Sequence, residues 1–227
     1  MFTGFISHRQ PKAPMRRLVD LSHPIRHGQA AYPGDPPARI QPHSTVAEDG
    51  FSVTQIHFGS HHATHLDAPS HFFAGGRSVE QIALDRFFGP AALIDLAPGG
   101  ELHSGASITP AHLQPHQSLF SAGARVIYRT GWSRRFGGPD YYQDYPILTA
   151  EAAEWIAARR IGLLGMDTPS PDGAECHQVL LRPGVEIVIV EGLANLDGLP
   201  PRFVFIGFPL TLEGVDGSPI RAIALIE

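Results

Sequence analysis

A single cysteine, Cys176, is all the thiol that 227 residues supply, which excludes an internal disulfide framework and any thiolate-rich zinc knuckle. Basic charge is also scarce. Lys and Arg number 17 against 22 Asp and Glu, for a formal net charge of -5, so no basic stripe exists to attract nucleic acid or an anionic lipid surface. Long apolar runs are missing too: nothing reaches bilayer-spanning length, and the opening MFTGFISHRQPKAPMRRL has basic residues without a sustained apolar stretch behind them. These absences leave a soluble, cytoplasmic protein with a small-molecule substrate as the expectation, and neither nucleic acid nor membrane as a partner. Any metal it holds must be met by imidazole and carboxylate.

What is plentiful is histidine, 13 residues concentrated rather than spread, together with 24 Gly and 21 Pro that interleave with apolar runs and show no low-complexity period. Apolar runs bounded by turn residues read as strands: SVTQIHFG (52–59), AALIDL (91–96), ARVIYRTGW (124–132), IGLLGMD (161–167), EIVIVEG (186–192), RFVFIGF (202–208) and RAIALIE (221–227). Several are apolar enough to be buried on both faces. The clearest helix is TAEAAEWIAARR (149–160), with Thr149 as N-cap, Glu151 in the first turn and Gly162 beyond its basic end. A second short helix is expected over QVLLRP (178–183). No repeat or linker divides the chain. The reading is therefore one α+β domain over residues 1–227, a mixed sheet with a few helices, with residues 1–17 as a flexible N-terminal arm.

The histidines peak in HFGSHHATHLDAPSHFF (57–73). In an extended strand His65, Asp67 and His71 share one face while Leu66 and Ala68 point into packing. His61 lies four residues before His65, and Gly59 and Ser60 supply the turn that folds it onto the same centre. His61, His65 and Asp67 form a nitrogen, nitrogen, oxygen set with room for water, as a catalytic divalent site requires. His71, next to Phe72 and Phe73, reads as a fourth ligand or as a proton carrier beside the ion. His57 and His62 face away from this set in the same pattern and read as ordinary surface or core histidines.

HHATHLDAPSHF also resembles the H-x-G-T-H-x-D-x-P-x-H motif of the cyclase-like metal-dependent hydrolases, which include bacterial kynurenine formamidases and isatin hydrolases. Further blocks are similar to that family in family order: DLSHPIRHGQAAYPGDP (20–36), RTGW (129–132), LTAEAAEWI (148–156), GMDTPSPD (165–172), EGLANLD (191–197) and PLTLEGVDGSPIRAIAL (209–225). The resemblance covers most of the chain. It implies a swivelling β/β/α fold, a homo-oligomer (dimer or tetramer) and one or two divalent ions per subunit, zinc first and manganese second. It also implies that Asp67 bridges two ions, that His177 and Glu191 complete the second, and that Tyr32 stands where formamidases carry an aromatic touching substrate. The spacing from His177 to Glu191 is two residues longer than the family's, and because strand side chains repeat every two residues, the face of Glu191 is preserved. Ala63 stands where the family has Gly, which disfavours a positive φ at that point.

Together these readings point to hydrolysis of a small amide C–N bond, of an aryl formamide or a cyclic amide, by water activated at a divalent ion. His71 would carry the proton, and Tyr32, Phe72, Phe73 and Trp132 would supply apolar lining. Rival readings are a cysteine hydrolase built on Cys176, a lactone hydrolase or natural-product cyclase on the same centre, and a non-catalytic ligand-binding homologue.

Overall fold

The computed structural model describes residues 16–226. The arm expected over residues 1–17 lies outside the described residues except for its last two, and Arg17 already opens the first strand. In chain order the strands are β1 (Arg17–Asp20), β2 (Arg39–Ser44), β3 (Val53–His57), β4 (His65–Asp67), β5 (Phe88–Asp95), β6 (Ser107–Ile108), β7 (Arg125–Arg129), β8 (Ile147–Leu148), β9 (Leu163–Met166), β10 (Val188–Glu191), β11 (Arg202–Ile206), β12 (Gly217–Pro219) and β13 (Ile223–Ile226). The α-helices are α1 (Val46–Asp49), α2 (Pro110–Leu113), α3 (Ala150–Ala157) and α4 (Glu175–Leu181).

Nine of these strands form one mixed sheet in the order β1-β13-β11-β5-β7-β9-β10-β4-β12. Its centre, β5-β7-β9-β10, is parallel, and these strands are the near-continuous apolar runs that a sheet covered on both faces demands. Alternation sorts their side chains between two cores. Val126, Tyr128, Leu164, Met166 and Ile189 pack with α3 and α4, while Ile127, Leu163, Val188 and Val190 pack on the other side with Leu66 and Phe205. Helix α3 begins as its sequence predicts: the Thr149 side chain accepts a hydrogen bond from the Ala152 amide, and Ala152, Ala153, Ile156 and Ala157 are buried. The last predicted turn does not continue as helix, and Arg160 takes φ 53° ahead of Gly162.

Two expected elements differ in detail. The strand expected at 52–59 exists as β3, without the flanking residues, and among the described residues it pairs only with β2, in a ribbon on which all of β3, Val53 and Ile56 included, is exposed. Nothing in SVTQIHFG distinguishes a ribbon from a half-buried strand. The second helix starts earlier than expected, at Glu175, so that His177 lies inside α4 rather than ahead of it.

Two short strands place the candidate site. β4 pairs antiparallel with β10, with His65 opposite Glu191 and Asp67 opposite Ile189. Leu66 is buried in one core, so His65 and Asp67 project to the opposite face, the one that α4 covers. β12 runs along the other edge of β4, with Gly217 opposite Asp67.

Candidate metal centre

The loop ahead of β4 is fixed by Thr64 and Ala63. The Thr64 hydroxyl donates to the Gly192 carbonyl (2.5 Å) and accepts from the His23 amide (2.9 Å), tying the entry of β4 to the exit of β10. Ala63 takes φ 57°, the left-handed region, at a cost of about 1–2 kcal/mol for a residue with a Cβ. The turn that glycine would make is therefore kept with alanine in it. The Ala63 carbonyl lies 3.0 Å from His65 Nδ1, which fixes that nitrogen as the N–H and turns Nε2 inward.

Inward of this loop the expected donors meet. Asp67 Oδ1 lies 2.8 Å from His61 Nδ1 and 3.4 Å from His65 Nε2, while Asp67 Oδ2 lies 3.5 Å from His177 Nε2. Glu191 reaches His65 Nε2 with one oxygen (3.1 Å) and His177 Nε2 with the other (3.1 Å). His65, Asp67, His177 and Glu191 are all buried, and His61 is nearly so. Glu191 is thus not a surface strand end. His71 arrives by a route the strand pattern did not anticipate. After Asp67 the chain turns through a 3-10 segment, Pro69–His71, opened by proline, and this swings the His71 ring to 3.9 Å from that of His61 and 5.8 Å from that of His177.

Burial disfavours charge on His61, His65, Asp67 and His177, yet the opposite signs sit close enough to outweigh it. Burial works against the His61 imidazolium, but the Asp67 charge and contacts with Asp216 and Asp67 raise its pKa to about 9. In the same way, against burial, Asp67 and Glu191 raise His65 to about 10, and Asp172, Asp67 and Glu191 raise His177 to about 12. Burial would raise Asp67, but His61 and the other two imidazoles hold it well below the usual carboxylate range. Among the described residues, His65 Nε2 and Asp67 Oδ2 have no hydrogen-bond partner of good geometry although both are buried. Buried nitrogen and oxygen donors that face one another without being satisfied are what a cation would satisfy. Subsets of this cluster, His61, His65 and Asp67 and also Asp67, His71 and His177, place one ligand atom each within 4.8 Å of one another.

Over the donors opens a cavity of about 250 Å³. Tyr32 and Phe72 line it as expected, and Phe72 stacks on the His177 ring (4.8 Å, 13°). Phe73 and Trp132 do not line it: Phe73 packs against the core shared with α3 and α4, and Trp132 is fully buried with its indole N–H on the Tyr141 carbonyl (2.8 Å). His62 turns away from the donors, as expected, but into burial beside Phe58 rather than into solvent.

With this geometry in view, comparison with known proteins is informative. The protein-family description "Putative cyclase" matches residues 19–173. The chain belongs to the cyclase family. Among curated cyclase-family relatives, the kynurenine formamidase of Bordetella pertussis is 31% identical over 215 residues, covering 92% of this chain and 98% of that protein. Isatin hydrolase A from Ralstonia solanacearum superposes with a TM-score of 0.81 at 29% identity, over 93% of this chain and 92% of that one. Isatin hydrolase A from Labrenzia aggregata bound to benzyl benzoate gives 0.82 at 28%, over 93% and 94%.

Two residues at this cyclase-family centre escaped the sequence. Asp216, just before β12, reaches His61 Nε2 (2.9 Å), His71 Nδ1 (3.3 Å) and the Ser60 hydroxyl (2.8 Å). The backbone beyond it lies flush on the His61 ring, since a Cβ on Gly217 would stand 2.6 Å from His61 Cε1. Asp172 reaches His177 Nδ1 at 3.5 Å and accepts from the Cys176 amide (2.9 Å). A lone aspartate in GVDGSP or SPDGA reads as a turn residue, so neither carried a signal. Cys176 itself is fully buried, and burial pushes its thiol well above the usual range. It does not line the cavity, which removes it as a nucleophile.

Beside the cavity, His23 stacks on Phe136 at 3.7 Å, and burial, followed by the charge of Arg26, lowers its pKa from 6.5 to about 4. The unfolded chain therefore binds the proton more tightly. The stability His23 contributes is present above pH 6.5 and is lost as pH falls toward 4, by about 3 kcal/mol at most. Denaturant titrations between pH 7 and 4.5 are expected to show a shallower acid loss for His23→Phe than for the wild type.

Proposed function

We propose that this chain is a divalent-metal hydrolase that cleaves the C–N bond of a small amide, an aryl formamide or a cyclic amide such as isatin. The observation that carries this reading is the convergence of nearly buried His61 with buried His65, Asp67, His177 and Glu191 at an aromatic-lined cavity. The similarity to a kynurenine formamidase and to isatin hydrolases supports it. His61, His65 and Asp67 would hold one ion, and Asp67, His177 and Glu191 a second, with zinc favoured and manganese the alternative for such a thiolate-free set. A divalent ion bound there supplies Lewis acidity, easing the ionisation of water and polarising a carbonyl.

The chain's own side chains do the rest. Phe72 and Tyr32 offer aromatic faces to an aryl group at the mouth of the cavity. His71, less buried than the donors, lines the same cavity beside them, where it would take a proton from water and pass it to the leaving nitrogen. Asp216 holds His61 and His71 in register by accepting from both rings. Metal ligands of this type owe part of their affinity to such a carboxylate, so Asp216→Asn is expected to weaken ion retention about 10- to 100-fold in a chelator competition. Copies of the chain would associate through the β2–β3 ribbon, whose exposed Val53 and Ile56, with Phe51 in the turn between the strands, favour a partner surface.

Elemental analysis combined with assays on N-formyl anilides, isatin-like lactams and lactones tests the reading. Ion-dependent turnover of the amides is expected. Turnover of lactones alone would favour the lactonase alternative, and bound ion without turnover of any of them would favour a binding protein.

A further inference from the structure

Tyr141 is almost fully buried, yet its hydroxyl has no hydrogen-bond partner among the described residues. A buried, unpaired hydroxyl carries a desolvation cost that an unused phenylalanine would avoid. The ring is not free to turn away from this position. Phe136 packs on it edge-on at 5.1 Å, Tyr142 at 4.9 Å and His23 at 6.4 Å, and the Trp132 indole N–H pins its backbone carbonyl. The hydroxyl is therefore held where it is, at the wall of the cavity.

Its depth matters. The oxygen stands 3.5 Å from where a side chain on Gly192 would begin, next in sequence to Glu191. Tyr32 and exposed Asp35 lie further out at the rim. Tyr141 shares the cavity wall with His61, His65, His177 and Glu191, so it can meet the group of the substrate that is seated among the donors. In an amide undergoing hydrolysis that is the acyl group, and an O–H hydrogen bonds to its oxygen. Burial first, and then neighbouring negative and phenolic groups, push the Tyr141 pKa well above its usual value, so the phenol keeps its proton across the working pH range.

We infer that the Tyr141 hydroxyl is a catalytic hydrogen-bond donor to the acyl oxygen of the bound substrate. This rests on the amide-hydrolase reading above. The hydroxyl waits without a partner in the free protein and gains one as negative charge builds on that oxygen, so its contribution is larger in the transition state than in the bound substrate.

Tyr141→Phe removes the donor and leaves the ring packing in place. Turnover of an N-formyl anilide or lactam is expected to fall about 10²-fold, in kcat more than in KM, with metal content unchanged. Because an unsatisfied polar group is deleted, the thermal midpoint is expected to stay level or rise, which separates this role from a structural one. Wild-type kinetics retained in the variant would overturn the proposal, the hydroxyl then being satisfied by water alone. A clear fall in midpoint would also overturn it, since it would mean that the hydroxyl is bonded within the protein. Absence of amide turnover in the wild type would overturn the amide reading and this inference together, whereas active wild type with equally active variant overturns this inference alone.

Discussion

Asp67→Ala is expected to lose its cation and at least about 10³-fold in turnover. The size follows from several kcal/mol of charge stabilisation that the ion supplies and from tenfold in rate per 1.36 kcal/mol. Among the described residues, Asp67 is the one carboxylate within 3.5 Å of all three inward imidazoles, those of His61, His65 and His177. Both proposed ion positions use it, so no neighbour can take over. Its removal also strips three buried imidazoles of a shared counter-charge. Breaking a buried ion pair costs about 3–5 kcal/mol when the remaining charge stays, but these imidazoles can shed protons, so the ion-free variant should lose less than that. The sign is open to measurement. Asp67 titrates well below its usual range in the folded state, so its stabilisation is present above the unfolded carboxylate pKa and lost as pH falls through the lower folded value. The variant should lack that acid-side loss. Metal analysis, turnover and denaturant midpoints at neutral and acid pH check all of this. Ion content and turnover both intact in the variant would place the centre elsewhere.

The parts of the fold that were legible are those where one strong local signal acts alone. β7, β9 and β10 are short apolar runs that only a covered sheet accommodates, and α3 carries its own N-cap. β4 was read as extended from His65, but as running on to His71 where it ends at Asp67, and β12, three residues long, was illegible because a strand that short is defined by its partners rather than by its own pattern. The site divides in the same way. His61, His65 and Asp67 lie within one segment, where spacing predicts convergence. His177 and Glu191 join them only through the packing of α4 on the sheet and the register of β10 against β4, and family resemblance, not spacing, pointed to them. The parity expected for Glu191 agrees with that register, in which it faces His65. Asp216 and Tyr141 gave no signal at all, since one looks like a turn residue and the other like one more aromatic in a loop.

His71→Ala is expected to cost about 10²- to 10⁴-fold in turnover while leaving the ion in place. His71 has one nitrogen 3.3 Å from Asp216 and a ring tilted against that of His61 at 3.9 Å, and its side chain is 28% exposed where Asp67 is 1%. That intermediate exposure suits a group that exchanges protons with substrate and solvent better than one locked onto a cation. The leaving group provides an internal check. Expulsion of an amide nitrogen needs a proton and expulsion of a phenolate from an aryl formate does not, so the variant should lose much less activity on the aryl ester than on the matching anilide. The structure also poses the competing outcome in concrete terms, because a His71 nitrogen lies within 4.8 Å of donor atoms on Asp67 and His177. If His71→Ala loses ion and activity together, equally on ester and anilide, His71 is a ligand. A variant that keeps its ion and fails selectively on the anilide identifies His71 as the carrier of the leaving-group proton.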